Sequence, residues 1–198
     1  MRCQKRVAPE ATELGGIVLT DSLVRPPSLV TPRLRLVVLL PGEIRALIDG
    51  DAQLASELAA VTFSETWPQA PEAREGFAWH LRHLLATPDH VPWRIRVIVE
   101  ASSMLVIGSI NLKGPPDEAG DVEIGWGVSA EYRGRGYARE AAQAVITWAS
   151  TDSRVRTFSA TIPEDNNASA RLAAKLGMAP TGFQRRDLPL WMMERGRS

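Results

Sequence analysis

Residues 131–140 read Glu-Tyr-Arg-Gly-Arg-Gly-Tyr-Ala-Arg-Glu. The two glycines and three arginines stand between an apolar stretch, residues 122–128, and an Ala-rich stretch that begins at Tyr137. A glycine-rich turn from strand to helix lets backbone N–H groups converge on an anion, and the positive end of the helix dipole adds to the attraction. Just upstream, Val122-Glu-Ile-Gly-Trp-Gly-Val128 alternates, so Val122, Ile124, Trp126 and Val128 share one face and Glu123, Gly125 and Gly127 the other. The second face carries one carboxylate beside two positions with no side chain. Glycines inside a strand cost stability and mark a bulge or a close approach of ligand to backbone. A bare groove floor leading into Arg133-Gly-Arg-Gly-Tyr-Ala138 suits a long ligand with an extended amide arm and a pyrophosphate head. The plainer alternative is an edge bulge with a solvated Glu123, followed by a surface loop.

Other phosphate-binding patterns fit less well. Gly125-Trp-Gly-Val-Ser-Ala130 formally matches a dinucleotide fingerprint, but Glu131 and the Arg-Gly run intervene before the helix and the upstream pattern is antiparallel. No G-x-x-x-x-G-K-S/T run is present for a P-loop. His80 and His83 have i, i+3 spacing without a third ligand in the pattern, which reads as a solvated helix face rather than a metal site.

The elements that must position these residues follow in order. Residues 1–28 are mixed in character and read as an N-terminal arm or extra strand, with residues 29–198 as the domain. Residues 31–38 alternate arginine with apolar positions and read as the first secure strand. Helices are expected from Pro41, over residues 52–60, and from Pro71, and the Trp67-Pro68 corner lines a pocket or seals the core. Residues 93–100, 104–113 and 122–128 form an antiparallel meander, with turns at residues 101–103 and 114–121. A helix from Tyr137, a strand over residues 155–162, a helix over residues 167–176 and two short strands complete a mixed α+β order.

With 198 residues, 44% of them apolar, the chain is long enough for one domain with a sizeable core. Lys+Arg and Asp+Glu both number 23, so no global basic field points to nucleic acid or to an anionic membrane. The single cysteine, Cys3, excludes an internal disulfide. No apolar run approaches the ~20 residues needed to cross a bilayer, and the expected location is cytoplasmic.

Two spaced stretches together resemble the GNAT N-acetyltransferases, in the branch similar to ribosomal-protein alanine N-acetyltransferases. Arg133-Gly-Arg-Gly136-Tyr-Ala138 is similar to the family's R-x-x-G-x-G/A loop. Asn166-Asn-Ala-Ser169 followed by Lys175-Leu-Gly177-Met178 is similar to its second motif. Asp121-Val-Glu123-Ile-Gly-Trp and Leu29-Val-Thr-Pro-Arg-Leu-Arg-Leu36 resemble the strand before the loop and the branch's opening strand.

The resemblance implies a mixed, mostly antiparallel sheet in which two neighbouring parallel strands splay apart to admit acetyl-CoA, with no metal. It implies that Arg133, Gly134, Arg135, Gly136, Tyr137 and Ala138 hold the pyrophosphate. The pantetheine arm would pair with Trp126, Gly127 and Val128, whose last N–H polarises the thioester carbonyl, and Asn166 would contact the arm. The implied reaction is attack of a primary amine, a protein N-terminus or a small molecule, on the acetyl carbon. Glu123 is the candidate base, against an ordering role in which it pairs with a nearby arginine. Ala173 stands where many members carry a tyrosine acid, so Ser169 is the substitute, against a role at the helix start. A non-catalytic acyl-CoA-binding protein is the alternative, and the assembly is read as monomer or homodimer.

Overall fold

A computed structural model describes residues 23–65, 67 and 71–196. Most of the N-terminal arm, and Pro68 of the expected corner, lie outside the described residues. Eight strands form one sheet in the order β1-β2-β3-β4-β5-β6-β8-β7. The expected opening strand is two: β1 (Leu29–Val30) folds back antiparallel on β2 (Leu34–Val38), and Pro32 falls in the intervening turn. That turn returns below as part of the site.

β3 (Ile95–Glu100), β4 (Val106–Leu112) and β5 (Asp121–Val128) continue the sheet antiparallel, as the alternation and turn signals predict. A 3-10 helix, Pro88–Trp93, takes the start of the expected residues 93–100 strand, because Pro88 and Pro92 withhold ladder N–H groups there. After α4 (Tyr137–Ala149) the chain enters β6 (Thr157–Thr161), which runs parallel to β5. α5 (Asn167–Leu176) leads to the closing hairpin of β7 (Ala179–Arg185) and β8 (Leu188–Glu194), and β8 rather than β7 pairs with β6.

Alternation along the strands gives the sheet two apolar faces. Leu36, Ile98, Ile110, Leu112, Val122 and Ile124 meet the small residues Ala141, Ala142 and Ala149 of α4, which let that helix lie close. On the opposite face Val97, Val99 and Val106 pack with α1 (Pro41–Asp49), α2 (Ala52–Ala59) and α3 (Pro71–Ala86) through Ile44, Leu47, Ala55, Phe77 and Leu84. Each such buried aliphatic contributes ~1.5–3 kcal/mol by leaving water. Trp67 is buried between Phe63 and Phe77, so its ring seals this core. Among the described residues no helix is long and apolar enough to cross a membrane.

Candidate active site

The parallel pairing of β5 and β6 is short. It covers Asp121↔Thr157, Val122↔Phe158 and Glu123↔Ser159 and then stops, although β5 runs on to Val128. Along its other edge β5 is paired with β4 from Ile124 to Val128. Lys113 N donates to Glu123 O at 3.0 Å and Ser129 N to Ile107 O at 2.9 Å, so odd-numbered residues face β4. The two-residue period then turns the N–H groups of Trp126 and Val128 toward the unpaired edge. There they stand as one open side of a strand, the surface onto which an extended amide can add.

That edge ends at the N-terminus of α4. Gly136 is its N-cap with φ 81°, and Gly134 has φ 77°, left-handed values that the glycines adopt without the Cβ penalty. No side chain caps this helix, so the amides of its first turn are available to an anion. A cavity of about 590 Å³ lies between this turn, the open edge of β5 and α5. Every predicted cofactor residue except Arg135 lines it, and Ser169 does so too. Arg135 instead gives its carbonyl to Arg33 and places its guanidinium 5.4 Å from the Tyr132 ring centroid.

The walls also contain Arg139 and Arg171, and Lys175 of the second motif, none of which the sequence reading assigned to the site. Arg171 and Lys175 lie four apart on α5, the spacing that puts two cations on one helix face, and that regularity was a usable signal. Asn166 is both a lining residue and the N-cap of α5, accepting from Ser169 N at 3.0 Å. The helix-start bond thus belongs to the Asn166 side chain, with Ser169 contributing its backbone N–H.

A further set of contacts braces the loop from outside. Arg33, in the turn between β1 and β2, donates from Nε to Glu140 at 2.7 Å and from Nη1 to Arg135 O at 3.0 Å. Its guanidinium carbon is 4.6 Å from the Tyr137 ring centroid. Thr31 Oγ1 donates to the other oxygen of Glu140 at 2.6 Å. Burial raises the Glu140 carboxyl pKa, but the hydrogen bonds from Thr31 and Arg33 outweigh it and hold the group below its usual range. The carboxylate in the first turn of α4 is therefore turned back on an arginine.

Glu123 lies on the other face of β5 and outside the cavity lining. Its Oε2 accepts from Arg185 Nη1 at 3.1 Å, and its Oε1 from Arg186 and, at 3.3 Å, from Thr161 Oγ1. Arg185 also reaches Asp121 and Ser159, each at 3.1 Å. Arg185 ends β7 and Arg186 opens the β7–β8 turn, where Arg186 and Asp187 have φ 53° and 60°, the twist of a two-residue hairpin. The expected closing hairpin is thus present and delivers two guanidiniums to the sheet. At Gly125, next on this face, a Cβ would press on the Asn111 side-chain amide at 3.1 Å, whereas at Gly127 a Cβ would meet nothing within 4 Å.

The expectation of a solvated histidine face is corrected by α3. His80 is 2% exposed, and burial, followed by the nearby charges of Lys113 and Arg94, lowers its pKa to about 3. His83 stacks on Trp79 at 3.8 Å. Among the described residues no group of three His, Cys, Asp or Glu is arranged to hold a metal ion.

An acetyltransferase (GNAT) domain family matches residues 37–179, well over half of the chain. The chain belongs to the GNAT acetyltransferase family. It is an acyltransferase, with the mixed sheet and single parallel pair described above. The Bacillus subtilis protein YjdG, described as an uncharacterized N-acetyltransferase, is 33% identical over 151 residues, covering 75% of this acetyltransferase and 88% of its own length. Among solved structures, the ribosomal-protein-S5-alanine acetyltransferase from Vibrio fischeri has a TM-score of 0.62 at 17% identity, covering 86% of this chain and 97% of that one. The microcin C7 self-immunity acetyltransferase MccE, solved with acetyl-CoA and AMP, has a TM-score of 0.56 at 13% identity, covering 89% and 98%. At these identities the two structures show the shared fold.

Proposed function

We propose that this GNAT enzyme moves the acetyl group of acetyl-CoA to the α-amine of a peptide or small molecule. The observation that carries the reading is the continuity of the cavity: an open strand edge at Trp126 and Val128 runs straight into uncapped helix amides beside Arg133, Arg139, Arg171 and Lys175. The amides of Gly136, Tyr137 and Ala138 would take the pyrophosphate, the cations the remaining phosphate, and the β5 edge the amide arm. The Val128 N–H would then donate to the thioester carbonyl oxygen as charge develops on it.

Acetyl transfer forms a bond from the amine nitrogen to the carbonyl carbon, breaks the carbon–sulfur bond, and releases a thiolate and one proton. Glu123 is assigned to receive that proton through a water, and Ser169, on the cavity wall, to supply one to the thiolate. Because Arg185 and Arg186 already occupy the Glu123 oxygens, the assignment suits an amine that loses its proton near neutrality. An α-amine, with a pKa of ~7.7–8.0, meets that condition better than a lysine at ~10.4.

Calorimetry with acetyl-CoA tests the donor half. Wild type is expected to bind, and Gly136→Glu to lose binding, because φ 81° strains any side chain at this N-cap and a Cβ there would face Arg33 Nη2 at 3.6 Å, so the new carboxylate would draw off the guanidinium that braces the loop. Thiol release in the presence of an amine tests the transfer half. Glu123→Gln is expected to depress kcat most at pH 6 to 7, where fewer amines are neutral, and an unchanged profile from pH 6 to 9 would remove Glu123 from the proton path.

A further inference from the structure

The face of the sheet turned toward α3 carries more positive charge than its acids answer. Ser109 and Asn111 stand opposite Gly127 and Gly125 in the β4–β5 register, and Lys113 stands opposite Glu123, so all share that face. Arg185 and Arg186 are matched by Asp121 and Glu123. Arg94 and Lys113 are not matched. Arg94 donates to the Lys113 carbonyl and to Thr87, both neutral groups. Among the described residues no carboxylate lies within ion-pair distance of the Lys113 ammonium, which rests 4.9 Å from the Trp79 ring centroid.

Lys113 is half-buried, and desolvation, helped by the charges of Arg186 and Arg94, lowers its pKa against the raising charge of Glu123, which stands opposite but makes no ion pair with it. His80 lies within reach of the same two cations, and burial first, then Lys113 and Arg94, depress its pKa. A half-desolvated ammonium with no ion-pair partner gains more from a carboxylate than a solvated one does, because less hydration is surrendered on pairing. The same field repels an acceptor that carries several ammonium groups.

Accepting the acetyl-transfer reading above, on which this step rests, we propose that Lys113 is the anion receptor of the acceptor site. The acceptor is an amine that bears a carboxylate about four peptide units from its nitrogen, and not a polyamine. The length follows from the sheet. Gly127, at the expected reaction point, and Glu123, opposite Lys113, are four residues apart on β5, roughly 13 Å at ~3.3 Å per residue. An extended tetrapeptide spans about the same distance.

Thiol release from acetyl-CoA, measured with matched probes, tests the assignment. The probes are tetra-alanine with a free carboxylate, its C-terminal amide, Ala-Ala-Ala-Glu with an amidated C-terminus, and spermidine. Wild type is expected to use the free acid with a kcat/KM about tenfold above that of the amide, the size of one charge-assisted contact. The glutamate peptide shows whether a side-chain carboxylate serves as well as a terminal one. Lys113→Met should bring the acid-to-amide ratio close to one, Lys113→Glu should invert it, and Lys113→Arg should keep it, all with acetyl-CoA binding like wild type. A wild-type ratio of one, a ratio that survives Lys113→Met, spermidine as the best probe, or no probe acetylated by a protein that binds acetyl-CoA would each overturn the inference. Failure of wild type to bind acetyl-CoA would overturn the transfer reading itself.

Discussion

Replacing Arg33 by alanine should weaken acetyl-CoA binding although Arg33 does not line the cavity. Glu140 lies in the first turn of α4, three residues and ~4.5 Å of helix rise behind Tyr137, whose amide opens the helix. Without Arg33 its carboxylate faces the bound pyrophosphate uncompensated. Two negative charges at about 10 Å from a third, at an effective dielectric of about 40 to 80, repel by ~0.8–1.7 kcal/mol. The loop loses its tie at Arg135 O as well. The Arg33–Glu140 pair itself adds little to folding, because the Arg33 side chain is 46% exposed.

The expected result is a 5- to 20-fold rise in Kd at low salt, roughly the tenfold per 1.4 kcal/mol of affinity arithmetic, shrinking at high ionic strength as the charges are screened. Titration calorimetry on Arg33→Ala, Glu140→Gln and the double variant decides the cause. Glu140→Gln removes the repelling charge, so the double variant should recover most of what Arg33→Ala loses. A double variant no better than Arg33→Ala would refute the electrostatic account and leave Arg33 as a simple brace of the loop.

Three further outcomes are expected. His80 stays neutral in the fold down to about pH 3 but titrates near 6.5 once unfolded, so its contribution is present above pH 6.5 and is lost as pH falls below it. Urea unfolding should show wild type losing about 1.6 kcal/mol relative to His80→Phe between pH 6.5, where the unfolded imidazole is half protonated, and pH 5, approaching 1.36 kcal/mol per pH unit, and parallel curves would exclude this. Gly127→Ala meets empty space in the fold, so its melting temperature should match or slightly exceed wild type while the acceptor KM rises; a lowered melting temperature would contradict the geometry. Asn166→Ala should cost ~1 kcal/mol of stability as a lost helix cap, and a loss of acetyl-CoA affinity beyond that would show a second role on the cavity wall.

Most of the cavity lining was legible in the sequence because its signals are local. Gly134, Gly136 and the alternation of residues 122–128 act within a few residues of their own position, whereas the helix-start bond expected of Ser169 belongs to the Asn166 side chain. What escaped the sequence depends on distant chain segments. Arg33 reaches Glu140 across 107 positions, and Arg185 reaches Glu123 across 62. No periodicity encodes such meetings. His80 reads as surface because its i, i+3 partner is another histidine, yet α3 rotates it under the sheet, where Trp79 and His83 take the intermediate positions. The strand expected over residues 31–38 starts only at Leu34, and the turn around Pro32 that precedes it carries Thr31 and Arg33 to the loop.

The short β5–β6 pairing has a mechanical consequence. Strands β1 to β5 and strands β6, β8 and β7 are two plates joined in the sheet by three residue pairs, with Arg185 bolted across the seam through Asp121, Glu123 and Ser159. A molecule laid along Trp126 and Val128 would stand in for the missing rungs. The seam is then the place where opening costs least when the cleft is empty, and amides on β6 and α5 should exchange with solvent faster than those of β3 and β4. Filling the cleft would weld the plates, so the donor would act as a structural strut before it acts as a reagent.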